Sequence, residues 1–551
     1  MSRSYFILLL VFLLFLVLRL PGLDLQYHQD EYKWAFLVNP ENNILGSVTD
    51  PPLSELLFVM AAEIFGYDHL RYMPFVFGVI SFGLLFYFVK EKFGHREAFL
   101  SSFFFSVAYY NVWASLLVDR DGAFIPAIFL TCLIFFYKWL SAEEIRKKII
   151  FGSLLALFIA VGFLTRLHFI LVIGSLLLEF IIYNRRKLYD KNFLFKYGSL
   201  VVIYFMSLLL VLLNGHLIYP YFKIATMFNY SSHFIVSSRN WFQIFTQFFK
   251  ALFYISPLFL ASFFFIPKNH ITNLRPLLLF IGCGLLFYLV LFDFSSGALD
   301  RYFVFLIVPA VITGGIVTAD IFRDHGGVKD AVITGLICAG GLFFLQFLPH
   351  YVPALYPKPE WYYRVFDLRW NFVMPFTGGS GPLGFYISWL FISLTWIATS
   401  FLVVLAKFRE YFTKKVWVII LILGIQYNLV FTEEYLFGKI NGNSDKLLKN
   451  VQEFVIKNKS IKEVITYNDI GAYELRKAGK YRRRLYVAPK FEGSYQDVLN
   501  NFKSYYMVLE IPKIDPKSIY AEYFSSCEIL YEEWSGVIPA RVYDCKNAKN
   551  I

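Results

Sequence analysis

The chain has 551 residues, of which 58% are hydrophobic and 20% aromatic, with a mean hydropathy of +0.54. An apolar share this far above that of soluble domains excludes a water-soluble globular protein and calls for lipid. The net charge of +12 does not point to nucleic acid, because the basic residues stand in short clusters between apolar runs, the pattern that sets membrane orientation.

Residues 5–20 form the first apolar run. The following Arg19-Leu20-Pro21-Gly22 lacks the small-x-small pattern of a cleaved signal, and more spans follow, so an uncleaved helix is expected, with Arg3 holding its start in the cytoplasm. Residues 21–70 then make a first outer loop. Within it 31–38 and 53–65 read as short interfacial helices, the second opened by Pro51-Pro52, since the N–H that proline lacks would have no partner in a first helical turn.

Runs long enough to cross a bilayer then recur with alternating flanks. The second, 72–89, ends at Lys90, Lys92 and Arg96; the third, 99–118, reaches Asp119-Arg120-Asp121; the fourth returns to Trp139, ahead of the basic loop at Arg146-Lys147-Lys148. Residues 149–183 are too long for one helix and break at Thr165-Arg166-Leu167-His168, a hairpin turning on the outer side; Arg185, Arg186, Lys187 and Lys191 follow. The seventh run is 197–213, with an outer loop reaching to about 248. The eighth and ninth, 250–266 and 276–292, flank a loop holding Lys268 and Arg275. The tenth and eleventh are 302–318 and 331–347, and a long aromatic outer loop covers 348–382. The twelfth ends before Lys407 and Arg409, and the thirteenth is 416–431. About twenty Lys and Arg fall in the short inner loops against about half as many in the longer outer ones, which gives about thirteen helices with the N-terminus inside and the C-terminus outside.

From about Gly438 the composition becomes that of a soluble domain. Residues 445–457 place Leu447, Leu448, Val451, Phe454 and Val455 on one helical face, with Ser444 as cap. Strands are expected at 464–467, 484–488, 506–511 and 540–543, and helices at 472–478 and 495–502. The fold class is thus a polytopic α-helical membrane protein over residues 1–437, followed by a small extracytoplasmic α/β domain over 438–551. Cys132, Cys283 and Cys338 lie in apolar runs as packing residues; Cys527 and Cys545 lie in the exported part, where they either pair or stay as free thiols.

The outer face collects Asp30, Glu31, Asp50, Asp119, Asp121 and Asp300, together with Lys33, Arg120, Arg166 and Arg301. Adjacent carboxylates beside a membrane are costly unless they face water, protein or a substrate. Carboxylates and arginines converging on one side suit an anionic substrate handled by acid–base chemistry, although loops at a membrane surface are also charged for solvation alone. His28 beside Asp30 raises the question of a metal, but one His and one carboxylate pair are not a ligand set.

The pair Asp30-Glu31 in His28-Gln29-Asp30-Glu31-Tyr32-Lys33-Trp34, followed by Asp50-Pro51-Pro52-Leu53, resembles the opening of the protein O-mannosyltransferase and aminoarabinose-transferase group of GT-C glycosyltransferases. Asp119-Arg120-Asp121 resembles that group's second acidic motif, Gly162-Phe163-Leu164-Thr165-Arg166 its Gly-x-x-x-Thr-Lys turn with Arg in place of Lys, and Asp300-Arg301-Tyr302 with Pro309-Ala310 its Arg-Tyr-(x)n-Pro segment. The resemblance implies an inverting transferase that takes a sugar from a polyprenyl-phosphate carrier to an acceptor hydroxyl outside the cytoplasmic membrane, with no required cofactor or metal. It further implies Asp30 as general base, with Glu31 the alternative, and Asp121 as a second acidic residue for which Asp119 can substitute. Arg301 and Arg166, then Arg120 and Lys33, would bind the donor phosphate; Asp50 and His28 would stand behind them near the acceptor. Aromatic residues at 361–370 are expected to line a substrate groove, and the C-terminal domain to recognise the acceptor or cover the outer cavity. Two other classes fit the same topology: a transporter or flippase of anionic or lipid-linked substrates, and an assembly factor with an inert Asp-Glu pair. Transporters concentrate ionisable groups and broken helices near mid-membrane, whereas these charges lie in outer loops and the helices read as intact.

Overall fold

A computed structural model describes residues 3–38 except 29, 52–119, 122, 124–187, 240–291, 300–323, 328–348, 373–375, 384–408, 413–467, 470–485, 492–511 and 513–550, with isolated positions between 189 and 217. Within these, some side chains lie outside the description, those of Asp30, Lys33 and Arg301 among them. The chain divides into two compact units, Met1–Leu23 with Leu37–Gly326 and Asp24–Phe36 with Gly327–Ile551.

Helix α1 (Arg3–Val17) opens the first unit, whereas α2 (Asp30–Leu37) lies almost wholly in the second. The first unit continues with α3 (Pro52–Phe65), α4 (Tyr72–Lys92), α5 (His95–Val107), α6 (Tyr109–Ala114), α7 (Phe124–Ser141), α8 (Ile145–Thr165) and α9 (Ile170–Asn184). After it come α10 (Trp241–Leu252), α11 (Pro257–Ser262), α12 (Ile271–Leu286) and α13 (Ile307–Ile321). The apolar segment Tyr302–Ile321 is 89% buried, which makes it the centre of this bundle. It reaches α5 closely because Gly315 has no side chain: a methyl there would collide with Ser101. Across another helix pair, Arg275 on α12 grips Glu179 on α9 through two hydrogen bonds of 2.6 and 2.7 Å, so each charge is compensated in an apolar setting.

Among the described residues nine helical segments are long and apolar enough to cross a membrane, and they coincide with the first, second, fourth, fifth and ninth to thirteenth runs. The sixth run is the shorter α9, and most of the seventh lies outside the described residues. The third and eighth runs are not intact helices. Ala108 is extended between α5 and α6, and the carbonyls freed at the break are taken by side chains: Arg19 donates to Phe105 O and Ser106 O, and Asn111 to Phe105 O. The eighth run breaks between α10 and α11, where Ser256 is extended and Pro257 starts a new turn. Arg275 sits in α12 rather than in a loop.

The second unit contains α14 (Lys329–Phe344), α15 (Trp389–Phe408) and α16 (Thr413–Leu436), with the two-stranded pair β1 (Val373–Pro375) and β2 (Tyr386–Ser388). Beyond α16 the chain forms α17 (Ser444–Lys457), β3 (Val464–Tyr467), α18 (Ala472–Lys477), β4 (Tyr481–Leu485), α19 (Glu492–Asn501), β5 (Tyr505–Leu509), α20 (Ile519–Ser525), β6 (Glu528–Ser535) and β7 (Ile538–Asp544). The sheet order is β4-β3-β5-β7-β6; β3 runs parallel to β4 and β5, and β7 antiparallel to β5 and β6. The amphipathic reading of α17 is met, with Leu447, Leu448, Val451 and Val455 buried. Its cap is Asn443, whose side chain accepts from Lys446 N–H at 2.8 Å, not Ser444, whose hydroxyl donates to Gly384 O. Strand β4 starts three residues earlier than expected. Strand β6 escaped the sequence reading because it is an edge strand, partly exposed on both faces, so its apolar alternation is weak. Cys527 and Cys545 form a disulfide.

Candidate active site

In the first unit the hairpin between α8 and α9 is built by its own sequence. Phe169 lies flat against Gly162, so close that a Cβ on Gly162 would sit 2.5 Å from the ring. Thr165 Oγ1 donates back to Val161 O at 2.8 Å, and the Thr165 carbonyl accepts from Ser54 Oγ on α3 at 2.6 Å. Arg166 N–H closes the last helical turn on Gly162 O at 2.9 Å, and Phe169 N–H returns to Arg166 O at 3.0 Å. Glycine is thus required for close approach, and Thr165 ties the turn to the helix that Pro52 and Leu53 begin.

The turn buries Arg166, which is 6% exposed. Its Nε–H donates to His168 Nδ1 at 2.9 Å, which makes that nitrogen the acceptor of a neutral imidazole. Tyr288 Oη lies 3.1 Å from the same nitrogen, and the guanidinium sits 5.1 Å from the centre of the Tyr302 ring. Arg166, His168, Tyr288 and Tyr302 line one cavity with Phe129, Phe169, Phe280, Phe305 and several aliphatic side chains; it encloses about 550 Å³, its open mouth included. The Gly-x-x-Thr-Arg turn and the Asp-Arg-Tyr segment, distant in sequence, therefore meet at Arg166 and Tyr302. An arginine in an otherwise apolar, aromatic wall suits an anionic head on an apolar tail. His168 and Tyr288 were not singled out from the sequence as site residues; only the position of His168 two residues past Arg166, across the end of α8, pointed to it.

In the second unit, Asp24–Phe36 carries the Asp-Glu pair. Asp30 is the first residue of α2. Glu31 is fully buried, and its Oε2 accepts from His28 N–H at 3.3 Å, while Glu31 N–H donates to His28 O at 3.0 Å. The Glu31 carboxylate thus satisfies a backbone donor just ahead of the helix start, and the Glu31 N–H closes a turn on the His28 carbonyl. Glu31 is built into the helix end.

Asp119 is 4% exposed, and its carbonyl accepts from Gly122 N–H at 3.2 Å. Asp50, Arg120 and Asp121 lie outside the described residues, as do residues 361–370 and the side chains of Asp30, Lys33 and Arg301; the backbone of Arg301 belongs to the 3-10 turn Asp300–Leu306. Among the described residues no group of three or more His, Cys, Asp and Glu side chains could hold a metal ion.

The fold is that of a multi-pass helical membrane protein with a small C-terminal α/β domain. Residues 49–212 match the family model described as dolichyl-phosphate-mannose-protein mannosyltransferase. The whole chain superposes on a crystal structure of ArnT from Cupriavidus metallidurans in the apo state, with 13% identity, 98% of this chain and 97% of that chain covered, and a TM-score of 0.52. The same protein bound to undecaprenyl phosphate gives 13% identity, 98% coverage of both chains and a TM-score of 0.50. No curated protein matches the sequence. The match over residues 49–212 and the ArnT-like fold agree with the resemblance drawn from the sequence motifs.

Proposed function

We propose that this chain is an inverting glycosyltransferase that moves a hexose or pentose from a polyprenyl-phosphate donor to an acceptor hydroxyl of a protein, lipid or glycan. The observation that carries this reading is the Arg166–Tyr302 cavity, cationic at one point and apolar elsewhere, assembled from the turn and the Asp-Arg-Tyr motif. Undecaprenyl phosphate, the ligand of ArnT, has that chemical form. Arg166, with Arg301, neutralises the charge gathering on the lipid phosphate as its bond to the anomeric carbon breaks. Asp30 takes the proton of the attacking hydroxyl; Asp121, or Asp119 in its place, orients the acceptor, and Arg120, Lys33, Asp50 and His28 support these groups. No metal or other cofactor has a role in this scheme.

The site works on the extracytoplasmic face of the cytoplasmic membrane. Two features support that placement: the basic short loops alternate with outer ones, and the C-terminal domain carries a disulfide, which persists in oxidising compartments. Mass spectrometry of exported proteins and lipids from a strain lacking the gene, complemented with variants, tests the scheme. Asp30→Asn should abolish transfer with the protein still folded and inserted. Glu31→Gln, which can still accept from His28 N–H, should keep far more activity. Full activity in Asp30→Asn removes the assignment of the base.

A further inference from the structure

We infer that the C-terminal domain acts as a positioning device for the catalytic helix, through Tyr473 and Arg476; this rests on the proposed role of Asp30. The segment Asp24–Phe36, although it follows the first membrane helix directly, belongs to the second compact unit. Two hydrogen bonds fix its start. Gln26 N–H donates to Asp445 Oδ1 at 2.9 Å, and Lys449 Nζ, itself paired to Asp445 at 2.7 Å, donates to Asp24 O at 3.1 Å. Both anchors stand one turn apart on α17.

Rings and a cation then hold the helix. The Tyr473 ring on α18 meets Tyr27 edge to face at 5.1 Å and Phe36 at 5.7 Å, bracketing the segment at both ends. The Arg476 guanidinium, one turn further along α18, lies 5.5 Å from the Tyr32 ring centre, 5.0 Å from Phe36 and 4.7 Å from Tyr481 on β4. Tyr27, Tyr32 and Tyr473 are all at most 7% exposed. Tyr32 and Phe36 are four residues apart on α2 and share one face. The domain therefore grips the helix that carries Asp30 through its Tyr32 and Phe36 face, with Glu31 held at the helix start.

A base must stay within hydrogen-bond reach of its proton, and a shift of about 1 Å costs on the order of a hundredfold in rate. Loosening this grip should therefore lower turnover while leaving donor-phosphate binding intact, since Arg166 and its cavity are built wholly within the first unit. The test uses full-length protein carrying Tyr473→Ala, Tyr473→Phe, Arg476→Gln or Asp30→Asn. Transfer is read by mass spectrometry in the complemented deletion strain, and binding of undecaprenyl phosphate is measured on the purified proteins. Tyr473→Ala and Arg476→Gln should each lose tenfold or more in transfer, bind undecaprenyl phosphate as the wild type does, and Tyr473→Phe should restore transfer. Arg476 is solvent-exposed, so Arg476→Gln decides the matter where Tyr473→Ala fails to fold. Wild-type transfer in Arg476→Gln beside a dead Asp30→Asn overturns the positioning role alone; an active Asp30→Asn overturns the reading of the base. Equal losses of transfer and lipid binding in Arg476→Gln also overturn it, because they indicate general disruption.

Discussion

Replacing Gly162 by alanine should disable the proposed donor site without touching a charged residue. The added Cβ would meet three atoms of the Phe169 ring at 2.5, 2.5 and 2.6 Å, whereas carbon atoms rest at about 3.5 Å or more, so about 1 Å must be found. Phe169 is 1% exposed and cannot swing into solvent. Overpacking of this kind costs about 1–3 kcal/mol, and the strain falls on the turn, because Arg166 is hydrogen-bonded to both Gly162 O and Phe169 N–H. With Arg166 displaced by a fraction of that 1 Å, undecaprenyl-phosphate affinity and transfer should each fall at least tenfold. The assay is a double-mutant cycle with Phe169→Leu, which removes the ring and should recover part of the loss. Wild-type affinity in Gly162→Ala, or strictly additive effects of the two changes, would refute the argument that Gly162 and Phe169 set the arginine.

Three further outcomes concern the C-terminal domain. Cys527→Ser should lower its stability by about 3 kcal/mol, the figure for a loop of this size, because the bridge closes a separation of 18 residues; proteolysis with and without reductant measures it, and equal resistance would count against the bridge. Asn443→Ala removes the cap of α17 and should cost about 1 kcal/mol, seen as a lower Tm of the full chain. Burial holds the Glu510 carboxyl above its ordinary value while Arg541, 2.6 Å away, opposes that shift. Since the folded form binds the proton more tightly than the unfolded form, this group's contribution is full below the unfolded carboxylate range and is lost as pH rises through the folded value. Arg541→Met removes the opposing charge, so its Tm should fall more between pH 5 and pH 8 than that of the wild type.

Much of the site was legible as a list and little of it as an arrangement. The Gly-x-x-Thr-Arg turn announced itself because an apolar stretch too long for one helix had to break, and the residues at the break were polar. Arg166 followed from that. Its companions His168 and Tyr288 were hidden, since a lone histidine at a turn and a tyrosine in an apolar run are ordinary in membrane helices. The adjacent acids could not be told apart in sequence, and nothing local announced that the Glu31 carboxylate accepts from His28 N–H. The broken third run looked continuous because hydropathy is blind to backbone geometry; Arg19, brought in from the first apolar run, and Asn111, just past the break, take the freed carbonyls.

Apolar run lengths, alternating basic flanks and the compositional shift near Gly438 are local properties, and they determined by themselves the membrane class, most of the helix series and the C-terminal α/β domain. Which segments meet is set by contacts between residues far apart in the chain, which no local pattern encodes. Only the tertiary structure therefore decided that Arg166 and Tyr302 share one cavity, and that Asp24–Phe36 packs with Tyr473 and Arg476 more than four hundred positions later.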